Sequence, residues 1–159
     1  MPHQVGAFFV AGQELGTDIY LKVLPSAGSR FIDKRRLPEA ILGLDLSAFR
    51  AEWWASGGNG SPSEVISLGF LLDDVCRSIF PLDWEVFWRN NARQPLCVVV
   101  SGLYSMTSHV LSSRSGHFSG LDELLRCMRA SMLVPGLTGP PVPIATLPTE
   151  PAYREDGAE

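Results

Sequence analysis

The sequence predicts an α/β fold. Three observations carry this: an amphipathic run with helical spacing over Ser61–Phe80, a β-branched run over Leu96–Tyr104, and a second amphipathic run after Ser119. Helix, buried strand and helix in succession point to layers packed around one core.

Bulk composition sets the frame. The chain has 159 residues, 45% of them hydrophobic and 19% charged, which is one globular domain's worth rather than a disordered chain. A net charge of −4 argues against a nucleic-acid binder, which usually presents a basic face. It leaves room for a protein at a lipid surface, where contact can rest on apolar area. No apolar run approaches the roughly 18–20 residues that cross a bilayer. Met1-Pro2-His3-Gln4 has no basic stretch leading into an apolar core, so no secretory signal is expected. A mean hydropathy of +0.10 is high for so small a unit. Small domains bury a modest fraction of their surface, so this much apolar sequence fits a section of a larger core.

Along the chain, Val5–Gly12 is a short apolar stretch and Asp18–Leu24 alternates weakly. Phe31–Leu42 begins near a basic cluster, Lys34-Arg35-Arg36, and suggests a short helix or turn. Leu46, Phe49, Trp53 and Trp54 can share one helical face within Asp45–Trp54, and Ser56–Ser63 is a loop. The clearest helix follows, with Ser61 as N-cap, Pro62 in its first turn and Glu64 completing a capping box. Val65, Leu68, Leu72, Val75 and Ile79 recur at steps of three and four, and Pro81 ends the run. Asp83–Arg89 fits a further helical turn.

Leu96–Tyr104 is the clearest strand. Its unbroken apolar run predicts a strand covered on both faces, with Val98–Val100 buried, as in a central or parallel sheet. Met106–Leu111 fits a second strand. A capped helix is then expected near Ser119, with Asp122 three residues on and Leu121, Leu124, Leu125, Met128 and Met132 on one face. Pro135-Gly136 should stop it. Six prolines between Pro135 and Pro151 leave no room for a long element. Tyr153–Glu159 is a polar, acidic tail.

Few residues offer chemistry. No GxSxG is present: Gly116-His117-Phe118-Ser119-Gly120 and Gly58-Asn59-Gly60-Ser61-Pro62 each carry the serine one place late. No phosphate-binding glycine motif occurs. His3, His109 and His117 form no metal-ligand spacing, and no metal or other cofactor is implied. Ser115-Gly116-His117 places a serine near an imidazole, but adjacency in sequence does not supply the geometry of a base. Cys76, Cys97 and Cys127 sit in apolar surroundings without a CxxC pair, so buried, reduced thiols are expected. Lys34-Arg35-Arg36 is either a solvated turn or a contact for phosphate head groups. Trp53-Trp54, Trp84 and Trp88 are either packing residues or a lipid-facing set.

Several segments together resemble the patatin-like lipid acyl hydrolases. Leu121–Val142 carries Arg129-Ala130-Ser131 and then Val134-Pro135-Gly136, as such domains do after a helix. Pro95–Gly102 is similar to the family's strand beginning Pro-Leu-x-Val-Val. Asp18-Ile19-Tyr20, Arg30-Phe31-Ile32-Asp33 and Leu71–Trp84 are similar to segments of eukaryotic and algal relatives. The similarity covers most of residues 5–155.

The resemblance implies a three-layer α/β/α fold, a Ser–Asp dyad, a glycine-rich oxyanion loop, and hydrolysis of acyl esters in phospholipids or glycerides. The family's oxyanion loop and GxSxG precede the matched region. Residues 1–152 are therefore expected to be part of such a domain, with an incomplete sheet and without its nucleophile region, followed by the tail 153–159. The dyad acid is expected near Ile144–Leu147, where no acid stands. Asp156-Gly157-Ala158 matches the family's DG[AG] string, which makes Asp156 the candidate acid, though it falls after Glu150-Pro151. The implied partner is a lipid or glyceride at an intracellular membrane or lipid-droplet surface, with no role for nucleic acid. The alternative is a degenerate, non-catalytic module of the same kind that binds lipid or a protein.

Overall fold

The apolar stretch at the start of the chain belongs to a helix, α1 (Pro2–Val10), whose proline stands where a missing N–H costs nothing. Gly12, at φ +69, closes it: the Gln13 N–H bonds to the Phe8 carbonyl and the Gly12 N–H to that of Phe9. This is the Schellman arrangement, which needs a left-handed residue that glycine adopts at no steric cost. The computed structural model describes residues 2–37, 64–102, 106–134 and 137–147. The runs expected at Asp45–Trp54 and Ser56–Ser63, and the acidic tail, lie outside these residues.

Asp18–Leu24, which alternates in sequence, is helical. Helix α2 (Leu15–Asp18) passes through a π turn, Ile19–Val23, into α3 (Leu24–Ala27). The Leu24 N–H reaches back five residues to the Ile19 carbonyl. Pro25, which follows, has no N–H to continue an i→i−4 ladder, so the winding loosens at this point. Ile19 is fully buried beneath it.

The helix expected from Ser61 begins later. Glu64–Ser67 lie ahead of it, and Ile66 forms an antiparallel bridge with Ile32. Glu64 therefore completes no capping box, and Ser61–Ser63 are outside the described residues. Ser67 does the capping instead, its hydroxyl accepting the Phe70 N–H at 3.1 Å.

From Phe70 to Ile79 the chain is π-wound, and the Phe80 N–H likewise bonds five residues back, to Val75. This changes which side chains are covered. Phe70, Leu71, Leu72, Val75 and Cys76 are buried, whereas Ile79, expected on the stripe with Leu72 and Val75, is 44% exposed. A turn that takes an extra residue carries the end of the run out of the three-and-four phase.

Helix α4 (Trp84–Asn91) is capped by Asp83, whose carboxylate accepts the Val86 N–H at 3.1 Å. Strands β1 (Cys97–Ser101) and β2 (Ser108–Ser112) pair antiparallel, Val98 opposite Leu111 and Val99 opposite Val110. Val98, Val100 and Leu111 face the core, but Val99 is 49% and Val110 57% exposed. The expected burial of all three valines is thus corrected: β1 alternates, and its sheet is a hairpin rather than a central or parallel one. Side chains of successive strand residues leave by opposite faces, and here one face is covered.

Helix α5 (Leu121–Met132) packs on β1 and on the π-helix, burying Leu124, Leu125, Cys127, Met128 and Met132. Its cap acid is Glu123, not Asp122: Glu123 accepts the N–H groups of Ser119 and Gly120, while Asp122 pairs with Arg77 at 2.6 Å. The described chain is a mixed fold of helices and one two-stranded antiparallel sheet around a continuous apolar core.

The winding of Phe70–Ile79 has a direct readout in denaturant unfolding. Leu72→Ala should cost roughly 2–5 kcal/mol. Ile79→Ala, off the buried face, should cost less than about 1 kcal/mol. Equal losses would restore the α-helical stripe.

Candidate functional site

Polar side chains able to do chemistry converge where β2 turns into α5. Gly116, at φ +72, lets residues 112–117 fold tightly back on themselves. The Gly116 N–H bonds to the Ser113 carbonyl and the His117 N–H to that of Ser112. His117 Nδ1 accepts the Ser112 N–H at 3.2 Å and lies 3.3 Å from the Ser112 carbonyl. Ser115 Oγ lies against Ser112 Oγ at 3.2 Å. The serine and imidazole that the sequence sets side by side are thus not partners. The imidazole serves the backbone, and Ser115 serves a neighbouring hydroxyl.

The near-miss Gly116–Gly120 gives a second serine. Ser119 Oγ donates to Glu123 Oε2 at 2.8 Å. The Ser119 N–H foremost, then the Ser119 hydroxyl, hold the Glu123 carboxyl below the ordinary carboxylate range. A carboxylate made less basic by three donors is a poor acceptor for a serine proton. This pair is a helix cap. Asn91, buried at the end of α4, joins the same corner: its amide donates to Ser113 Oγ at 2.7 Å and accepts the Leu96 N–H at 2.7 Å. His109 meets Thr107 Oγ1 at 3.1 Å.

A second polar assembly was not evident in the sequence. Asp73 on the π-helix accepts Arg129 of α5 at 2.6 Å and Arg77 at 3.5 Å, and Arg77 reaches Asp122 at 2.6 Å. The Asp73/Arg77 spacing of four was the one local signal; the cross-helix partners depend on the tertiary fold. Glu64 stands beside this chain of charges. Burial pushes its carboxyl upward, and the Arg129 and Arg36 guanidinium groups oppose that. Gly139 lies so close that a Cβ there would meet Glu64 Oε1 at 2.8 Å. The chain approaches this tightly because the Leu137 carbonyl accepts both the Val65 and Ile66 N–H groups at 2.9 Å.

The thiols differ from one another. Burial pushes Cys76 and Cys127 up to about 11, which makes both poor nucleophiles. Cys97 is exposed, against the expectation that all three are buried. Trp84 stacks on Phe87 and Trp88, with ring centroids 5.2 and 5.4 Å apart, so these two tryptophans pack on each other. Lys34-Arg35-Arg36 forms an exposed 3₁₀ turn. Asp156, Gly58–Pro62, Trp53 and Trp54 lie outside the described residues. Among those described, no three His, Cys, Asp or Glu side chains are grouped to hold a metal ion, and no helix is long and apolar enough to cross a membrane. No family model, curated protein or solved structure matches the chain.

Glu64 yields a pH-dependent expectation. A carboxyl whose folded pKa lies above its unfolded value binds its proton more tightly when folded. Ionising it therefore weakens the fold as pH rises through that range. Glu64→Gln should raise stability at neutral pH, and the gain should vanish below the ordinary glutamate range. A thermal-melt series across pH checks this; a neutral-pH loss would mean that its attraction to Arg129 and Arg36 outweighs its burial.

Proposed function

We propose that the chain is an internal part of a patatin-like lipid acyl hydrolase, acting in the intact domain on phospholipid or glyceride esters at a lipid surface. The observation that carries this is the order and spacing of Pro95–Gly102 and Leu121–Val142, the second of which holds Arg129-Ala130-Ser131. Two features of the fold support it. Arg129 and Ser131 each tie α5 to another element, Arg129 to Asp73 and Ser131 through a 2.6 Å bond from its hydroxyl to the Val99 carbonyl. The exposed pair Val99 and Val110 is what an incomplete sheet leaves uncovered.

On this reading the missing layers of a three-layer α/β/α domain would complete the sheet. A serine supplied on a GxSxG turn would attack the ester carbonyl, and the ester C–O bond would break to release the alcohol with the serine's proton. Water would then hydrolyse the acyl-enzyme to the free acid and restore the serine. The residues described here would support that site rather than form it. Asp156 is the acid offered by the DG[AG] string. A dyad acid must be held within about 2.6–3.2 Å of a hydroxyl, and Asp156 falls later in the chain than the resemblance places that acid.

A second reading, a non-catalytic module of the same kind, is favoured by the way the loop serines are used: Ser119 in a cap and Ser112 with Ser115 in a turn.

Expressed by itself, the chain should not turn over a chromogenic acyl ester above background. A fluorophosphonate that blocks turnover and labels one serine would reveal a nucleophile here. Fused behind an oxyanion loop and GxSxG segment, the chain should gain esterase activity; a folded but inert fusion favours the second reading. In the active fusion, Asp156→Asn should change turnover by no more than a small factor. A drop of several orders of magnitude, with unchanged circular dichroism, would make Asp156 the dyad acid.

A further inference from the structure

The charge of the chain is unevenly spread. Although the whole carries −4, the eight residues Arg30–Leu37 hold four cations and one acid, a local balance of +3 (4 − 1). That acid is already engaged. The Asp33 carboxylate accepts the Arg35 N–H at 3.1 Å and pairs with Arg36 at 3.4 Å. Arg30 pairs with Asp74 at 3.3 Å and lies over the Phe70 ring. Among the described residues, no carboxylate lies within ion-pair distance of Lys34 or Arg35, and both are exposed.

The segment is a fixed platform. Phe31 is buried in the core. Its carbonyl accepts the Ser67 N–H at 2.9 Å, and the Asp33 N–H bonds to the Val65 carbonyl at 2.8 Å. Beside the cations stand two exposed aliphatic side chains, Ile32 at 39% and Leu37 at 42%.

We propose that Arg30–Leu37 is a docking surface for anionic phospholipid head groups, with Lys34 and Arg35 as the principal contacts and Ile32 and Leu37 as shallow apolar anchors. Cations interleaved with aliphatic side chains match an interface where phosphate lies above acyl chains. A nucleic acid fits less well. Phe31, the one aromatic ring of the segment, is buried and cannot stack on a base. At a bilayer, acids farther than roughly 8 Å away are screened at physiological salt. The inference deepens the lipid-hydrolase reading, but its test involves no ester turnover, so the two fail separately.

The test is co-sedimentation of the full chain with phosphatidylcholine vesicles, with and without a fifth of phosphatidylserine. The chain should bind the anionic vesicles, and added salt should weaken the binding. Each Lys or Arg near an anionic surface contributes about fivefold, so K34A/R35A should weaken binding roughly twenty-five-fold. K34R/R35K should retain it, and Leu37→Ser should lose a few-fold, each with an unchanged melting curve. Equal binding to neutral vesicles, an unaffected K34A/R35A variant, or tighter binding to a single-stranded RNA than to anionic vesicles would overturn the proposal.

Discussion

The buried amide of Gln4 sets the terms on which three helical segments meet. A side-chain amide withdrawn from water must find partners or cost the fold several kcal/mol. Gln4 Nε2 faces the Leu71 carbonyl at 3.5 Å and Cys76 Sγ at 3.7 Å, and Gln4 Oε1 accepts the Tyr20 hydroxyl at 2.8 Å. One side chain on α1 thereby fixes the height of the π-helix and of the Ile19–Val23 turn. Apolar packing around Phe8, Ile19 and Leu72 supplies most of the attraction, but it is not directional. Cys76 completes the arrangement by donating to the Leu71 carbonyl at 3.4 Å.

On the far side of the π-helix the connections are ionic. Arg129 and Asp122 of α5 meet Asp73 and Arg77, while Ser131 fastens the same helix to the edge of β1. Exposed ion pairs contribute little to stability, so their effect is to set the register of two elements that apolar contact has already brought together. The corner at residues 112–120 is similarly self-contained. Its histidine and serines satisfy the backbone of a tight turn and one helix cap, which accounts for their polarity without a reaction.

Local signals were the legible ones. Asp83 ahead of Trp84, and the apolar spacing of Leu124, Leu125 and Met128, are short-range patterns, and the elements stand where those patterns place them. Three other features depend on what lies far away in sequence. The loss of i→i−4 bonding in Phe70–Ile79 leaves no mark in an apolar periodicity that suits an α-helix equally well. The run Cys97–Ser101 reads as buried on both sides because valine is common in both settings, and the pairing with β2 and the cover that α5 gives one face decide otherwise. Asp18–Leu24 alternates in hydropathy, yet flanking helix and the loosened turn before Pro25 make it helical. For the candidate site, sequence could discount the Ser115/His117 pair, but it pointed to Asp122 as the cap acid, and the capping carboxylate is that of Glu123. It could not reveal the approach of Gly139 to Glu64, which arises from the pairing of residue 137 with residues 65 and 66. Asp156 belongs to the residues not described, so its role rests on the resemblance alone.

The π-wound stretch also bears on how this protein tolerates changes in length. A helix that closes its hydrogen bonds over five residues stores slack relative to one that closes them over four. A one-residue deletion within Phe70–Ile79 can be absorbed by closing one wide turn to an ordinary one, which leaves the residues after it near their former angular positions about the axis. Arg77 would then stay on the side that faces Asp122, and Leu71 and Leu72 would stay in the core. An insertion has no such slack to draw on, so this segment should accept the loss of a residue more readily than the gain of one.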